Sequence, residues 1–126
     1  MKDEKAYLGH IRDSVDRILA YTAAGKKAFM LDHKCQDAVV RNLEIIGEAA
    51  KNVPRAVQAS HPRIPWRRMA GMRDKMIHEY FGVDLEIVWG VVARELPALR
   101  RRIVAMLRAG GKKGLVGIIR KENKAA

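Results

Sequence analysis

One cysteine, Cys35, stands in the 126 residues. A lone thiol excludes an intrachain disulfide and cannot build a zinc site. Its expected role is that of a small buried side chain in a reducing compartment. Aromatic residues make up only 6% of the chain. So few rings argue against a base-stacking platform, and any contact with nucleic acid should run through phosphates. Acid is short as well, with 14 Asp+Glu against 25 Lys+Arg and a formal charge of +11. That imbalance favours attraction to a polyanion such as RNA or to an acidic protein, and it equally serves solubility. No apolar run approaches the ~20 residues of a membrane span, and the start, Met1-Lys2-Asp3-Glu4-Lys5, has no apolar core of signal-peptide type. The expectation is a soluble, cytoplasmic protein with no membrane contact. A glycine-rich phosphate loop and internal repeats are missing. The histidines at 10, 33, 61 and 78 show no ligand spacing, which disfavours a metal enzyme and implies no cofactor. Ser14 and Ser60 lack a His and an acid at a recognisable spacing, so a serine hydrolase is weaker still.

What remains is helical. The length fits one domain, divided here into a helical domain over residues 1–109 and a basic tail over 110–126, either disordered or an appended segment. Leu8, Ile11, Val15, Ile18 and Leu19 recur at helical spacing and predict a helix over residues 5–24, capped by Asp3 and ended by Gly25. The link 26–32 is short enough for antiparallel neighbours, and Phe29, Met30 and Leu31 should pin it to the core. A second helix over residues 33–52 carries Ala38, Val39, Leu43, Ile46, Ala49 and Ala50. Prolines 54, 62 and 65 allow at most a short helix between turns. Pro65 suits the first turn of a third helix that turns Trp66, Met69, Met72, Met76 and Ile77 inward and ends near Phe81, with Gly82 as the stop. Asp84 should cap a fourth helix, with Leu85, Val88, Val92, Leu96, Leu99, Ile103 and Leu107 as its stripe, a kink or split at Pro97, and Gly110-Gly111 as its end. The predicted fold is all-α, an antiparallel bundle of four main helices plus a short connecting helix.

The stretch that looks most like chemistry is Arg73-Asp74-Lys75-Met76-Ile77-His78-Glu79-Tyr80. Arg offers a charged fork of donors suited to phosphate, and His exchanges a proton near neutrality. The pair suits phosphodiester cleavage without a metal, with His78 as general acid or base and Arg73 stabilising charge on the phosphorus oxygens. A solvated helix face would give the same pattern. On a straight helix Tyr80 lies roughly 20° from Arg73 and His78 roughly 140° away. Either the helix end unwinds before Gly82, or a second copy of the motif from another subunit completes the site. On the second helix Arg41, Glu44 and Glu48 share a face, either as a surface ion-pair ladder or with a carboxylate orienting Arg73 or His78. Tyr80 either packs with Phe81 or is a point of modification.

Three separated blocks carry a further signal: Gln36-Asp37-Ala38-Val39-Val40-Arg41-Asn42-Leu43-Glu44-Ile45-Ile46-Gly47-Glu48-Ala49-Ala50, then Ile64-Pro65-Trp66 with Gly71-Met72-Arg73, and His78-Glu79-Tyr80-Phe81-Gly82-Val83-Asp84. Over residues 7–107 the chain resembles HepT-type toxins of the HEPN superfamily. The resemblance implies a helical homodimer with two Arg-x4-His motifs facing each other in a cleft that cleaves RNA without a metal. Arg73 and His78 then match the catalytic pair. Tyr80 matches the tyrosine to which a nucleotidyltransferase antitoxin of MntA type transfers AMP to silence the toxin. Asp74 stands where Asn is commoner in that family, and its charge beside Arg73 should lower affinity for phosphate. With Arg41, Glu44 and Glu48 it completes the candidate supporting residues. The alternative is a non-catalytic helical module that docks a nucleotidyltransferase or nucleic acid with the same polar residues.

Overall fold

The structure, a computed structural model, describes residues 4–78 and 84–115, and for residues 73–78 and 110–115 it describes the backbone alone. Seven α-helices lie among the described residues, with no strand: α1 Glu4–Tyr21, α2 Lys26–Leu31, α3 His33–Asn52, α4 Arg55–Ser60, α5 Trp66–His78, α6 Leu85–Gly90 and α7 Leu96–Leu115. A π-helical turn, Val91–Glu95, joins α6 to α7, so the two form one long rod. The protein is an all-α bundle whose four main members are α1, α3, α5 and this rod.

The stripes read from the sequence form the core. Leu8, Ile11, Val15 and Ile18 of α1 meet Val39, Leu43, Ile46 and Ala50 of α3, and Val88, Val92, Leu96 and Ile103 of the rod close the same cluster. Each Val, Leu or Ile among them contributes about 1.5–3 kcal/mol on burial. Side-chain contacts fix the direction of packing. At one end Tyr7 and His10 of α1 face Arg41 to Asn52 of α3 across a cleft, and at the other the Cys35 thiol donates to the Tyr21 carbonyl at 3.3 Å. The two helices are therefore antiparallel. Arg100 of α7 and Asp16 of α1 form an ion pair at 2.5 Å that raises the guanidinium pKa, chiefly through its hydrogen bond to the carboxylate.

Turn chemistry explains the corners. Gly25 has φ 97°, a left-handed conformation that Cβ-bearing residues disfavour, and its N–H bonds the Thr22 carbonyl at 3.0 Å. Asp32 caps α3, its carboxylate accepting from Cys35 N at 3.1 Å. Asp84 caps α6, accepting from the N–H groups of Glu86 at 2.9 Å and Ile87 at 3.4 Å. The Gln58 amide donates to the carbonyls of Ala50 and Val53, so α4 closes the end of α3.

Several expectations need correction. The link 26–32 is itself a helix: the Gln36 side chain satisfies the last carbonyls of α2, at Phe29 and Met30, and Phe29 is buried against Trp89 at 5.5 Å between ring centroids. Cys35 is half-buried rather than buried, because it lies in the first turn of α3, at the edge of the bundle. Of the kink or split expected at Pro97, the split does not occur, since the π-turn runs directly into α7. The helix widens just before it, the Leu96 N–H reaching back to the Val91 carbonyl, which gives the ring room where an α-turn would set it against a carbonyl. Gly110-Gly111 does not end α7, which continues to Leu115; glycine costs about 1 kcal/mol per residue in a helix and is a weak stop without a left-handed turn. The Asp3 cap, the Gly82 stop and residues 116–126 lie outside the described residues, as do the side chains of Met76 and Ile77. No described helix is long and apolar enough to cross a membrane.

Candidate functional site

The candidate site is built on α5, and the head of that helix is held from three sides. Pro65 precedes it with no N–H to satisfy, and its carbonyl accepts from Met69 N at 3.0 Å. Trp66, 7% exposed, packs inward while its indole Nε1 donates to the His61 carbonyl at 3.1 Å. Arg68 reaches across to Glu95 of the π-turn at 2.9 Å.

From this anchored head the backbone runs as an α-helix through His78. Positions 73, 74 and 78 therefore share one continuous helix, and no unwinding separates 73 from 78. With Met69 as the zero of rotation, Trp66 lies at about +60°, position 73 at about +40° and position 78 at about 180°. Met69 and Trp66 are buried. Position 73 thus lies at about the same angle as Met69 and Trp66, and position 78 lies opposite. The side chains of Arg73, Asp74 and His78 are not described, and Tyr80 lies outside the described residues.

The candidate supporting residues sit on α3. Arg41 and Glu44 make an ion pair at 3.5 Å, with Glu44 20% and Arg41 70% exposed. With Glu48, Asn52, Tyr7 and His10 they line a cleft of about 280 Å³ whose far wall is α1. The ladder reading gains its Arg41–Glu44 rung. The other reading, a carboxylate aimed at Arg73 or His78, concerns side chains outside the description. Tyr7 and His10 were not singled out in the sequence, although their i, i+3 spacing on α1 puts them on one face. The Cys35 thiol is pushed up from its ordinary pKa, first by burial and then by the charge of Asp32. Among the described residues no group of three or more His, Cys, Asp or Glu side chains is placed to hold a metal ion.

Comparison with known proteins identifies the lineage. The model of the "Ribonuclease HepT-like" family matches residues 11–106, a span that contains both Arg73 and His78. The chain is 46% identical over 100 residues to "Probable ribonuclease HepT" of Thermococcus cleftensis, covering 79% of this chain and 91% of that protein. It is 40% identical over 108 residues to a "Putative RNase" of Caldanaerobacter subterraneus subsp. tengcongensis, covering 85% and 96%. A "Gamma-glutamylcyclotransferase and putative RNase" of Methanocaldococcus jannaschii is 43% identical over 107 residues, 84% of this chain but only 48% of that longer protein. No solved structure matches. With the family model covering most of the chain and these relatives aligned along nearly all of the bundle, this protein belongs to the HepT-like ribonuclease family.

Proposed function

We propose that the protein is the cytoplasmic toxin of a toxin–antitoxin pair, an endoribonuclease that cleaves RNA without a metal through Arg73 and His78 in the cleft of a homodimer. The observation that carries this reading is the family match across both residues, on a helix that runs unbroken between them. His78 takes the proton of a ribose 2′-hydroxyl, the 2′-oxygen bonds to the adjacent phosphorus, and the 5′-oxygen leaves and is protonated. Arg73 stabilises the extra negative charge of the five-coordinate phosphorus. The products are a 2′,3′-cyclic phosphate and a 5′-hydroxyl, and DNA, lacking the 2′-hydroxyl, is inert.

The homodimer is supported by the angle on α5. Positions about 140° apart on one regular helix do not converge on one phosphate, whereas a two-fold axis brings position 73 of one protomer beside position 78 of the other. Silencing runs through Tyr80, two residues beyond His78: AMP transferred to its hydroxyl by a nucleotidyltransferase antitoxin fills the phosphate site and occupies the guanidinium with the wrong phosphate.

The test is cleavage of a panel of RNAs, tRNA and mRNA included, with chelator present, by wild type, Arg73→Ala and His78→Ala matched for helicity by circular dichroism. The reading predicts cyclic-phosphate ends from wild type and a rate about 10²–10⁴ lower for His78→Ala, the range for a lost general base. Equal behaviour of wild type and His78→Ala would hand the protein to the binding-module alternative.

A further inference from the structure

Away from the α1–α3 cleft, three depressions adjoin one another around the head of α5. The first, between α4 and α5, is lined by Arg55, Arg67 and Arg68. The second, between α5 and the rod, has a volume of about 240 Å³ and is lined by Arg63, Arg68, Arg94 and Arg102 over a floor that includes Met69, Leu96 and Leu99. The third carries Arg63 and Arg102 again, with His61. They are continuous, because Arg68 and Pro65 belong to the first and second, Arg63 and Arg102 to the second and third, and Ile64 to the first and third.

Six arginines thus border one surface, all exposed. Among the described lining residues of the three depressions Glu95 is the only carboxylate, and it is already matched by Arg68 at 2.9 Å. The other five have no carboxylate partner among the described residues. Like charges gathered on a single face repel one another, and a chain of regularly spaced anions relieves that repulsion along its whole length. All six are arginine and none is lysine. A planar fork of donors matches the paired non-bridging oxygens of a phosphodiester better than a point charge does. The belt and the candidate site share one helix, Arg68 preceding position 73 by about 7.5 Å of helix rise and position 78 by about 15 Å.

We infer that this belt is the track for the RNA backbone: the phosphates flanking the scissile linkage run from α5 across the head of the helix, between α4 and α7, held by Arg63, Arg67, Arg94 and Arg102. The surface selects phosphodiester chains by charge and reads no base, in keeping with its aliphatic floor. The identity of the polyanion rests on the ribonuclease reading, while binding is measured apart from cleavage.

The experiment uses the full-length chain with His78→Ala, so that RNA stays intact, and a fluorescein-labelled 30-nucleotide single-stranded RNA titrated at several salt concentrations. Arg63→Gln, Arg67→Gln and Arg102→Gln are combined in one variant. Arg17→Gln, Lys27→Gln and Lys34→Gln, exposed positions on α1, α2 and α3, remove the same charge elsewhere. The belt variant is expected to bind at least tenfold more weakly at physiological salt, with a salt dependence shallower by about 2 in log–log slope, since each single-strand phosphate that the protein neutralises adds ~0.7 to that slope. The control variant should change affinity less than threefold. An equal loss in both variants would show a diffuse effect of net charge and overturn the track, as would no loss in either. Polyglutamate competing as well as RNA, weight for weight, would also overturn it and assign the surface to an acidic protein. Full belt-dependent binding by a wild type that cleaves nothing would uphold the track and reject the cleavage chemistry.

Discussion

Trp66 fastens the helix that carries Arg73 and His78, and its replacement gives a graded test of that anchoring. The indole Nε1 donates to the His61 carbonyl at 3.1 Å, and the same carbonyl also accepts from Ile64 N at 3.1 Å. Removing the indole N–H therefore leaves no orphaned acceptor, so the lost bond falls at the low end of the usual range, about 0.5–1 kcal/mol. Trp66→Phe adds a small packing loss, and the sum is a destabilisation of about 1–2 kcal/mol. Trp66→Ala empties a site only 7% exposed, which costs about 3–5 kcal/mol. Urea denaturation followed by far-ultraviolet circular dichroism measures both, at two protein concentrations because a dimer's stability depends on mass action. If Trp66→Ala falls within about 1 kcal/mol of wild type, Trp66 does not anchor α5 and the fixed placement of positions 73 and 78 loses its support.

Asp84→Ala removes two capping bonds at the start of α6 and should cost about 1 kcal/mol in the same denaturation assay, with Asp84→Asn recovering most of it. Cys35 should be alkylated more slowly than free cysteine at pH 8. Its thiol pKa is raised by burial and by Asp32, so the rate–pH curve should be displaced to higher pH, and Asp32→Asn should move it part of the way back. The sign for stability follows: a thiol whose folded pKa is raised contributes fully below the unfolded pKa and loses that contribution as pH rises through the folded value. Tyr80→Phe should stay toxic when a cognate nucleotidyltransferase is co-expressed, and intact-mass analysis should show added AMP on wild type alone; equal protection of both without a mass gain would mean neutralisation by binding.

Much of the bundle was legible because its cause is periodic. Burying Leu8, Ile11, Val15 and Ile18 together requires a helix with that face inward, and Asp32, Asp84 and Gly25 stand where helix ends need an acceptor or a left-handed turn. The misreadings share another cause. The helix α2 is only six residues long, too short for a periodic signal, and its last carbonyls are satisfied by Gln36, a residue of the next helix. The wide turn before Pro97 is a local answer to a steric problem that sequence reveals only as a problem. The candidate site was singled out as a motif, through spacing and resemblance. The arginine belt was not, because Arg63, Arg68, Arg94 and Arg102 are scattered along the chain and meet only after α5 packs on the rod. Consecutive Arg100, Arg101 and Arg102 fan around α7, so adjacency in sequence does not put them on one surface, and Arg100 is matched by Asp16.

Mixing two inactive variants tests most directly the proposed pairing of Arg73 of one protomer with His78 of the other. Arg73→Ala and His78→Ala are purified separately, combined in equal amounts, exchanged through mild denaturant and assayed on RNA with chelator present, beside wild type treated the same way. Random pairing makes about half of the dimers mixed, and each mixed dimer holds one composite site with both residues intact, so the mixture should regain about one quarter of wild-type activity. A mixture as inactive as either variant alone, with the exchanged wild type fully active and subunit exchange verified by mass, would contradict the account.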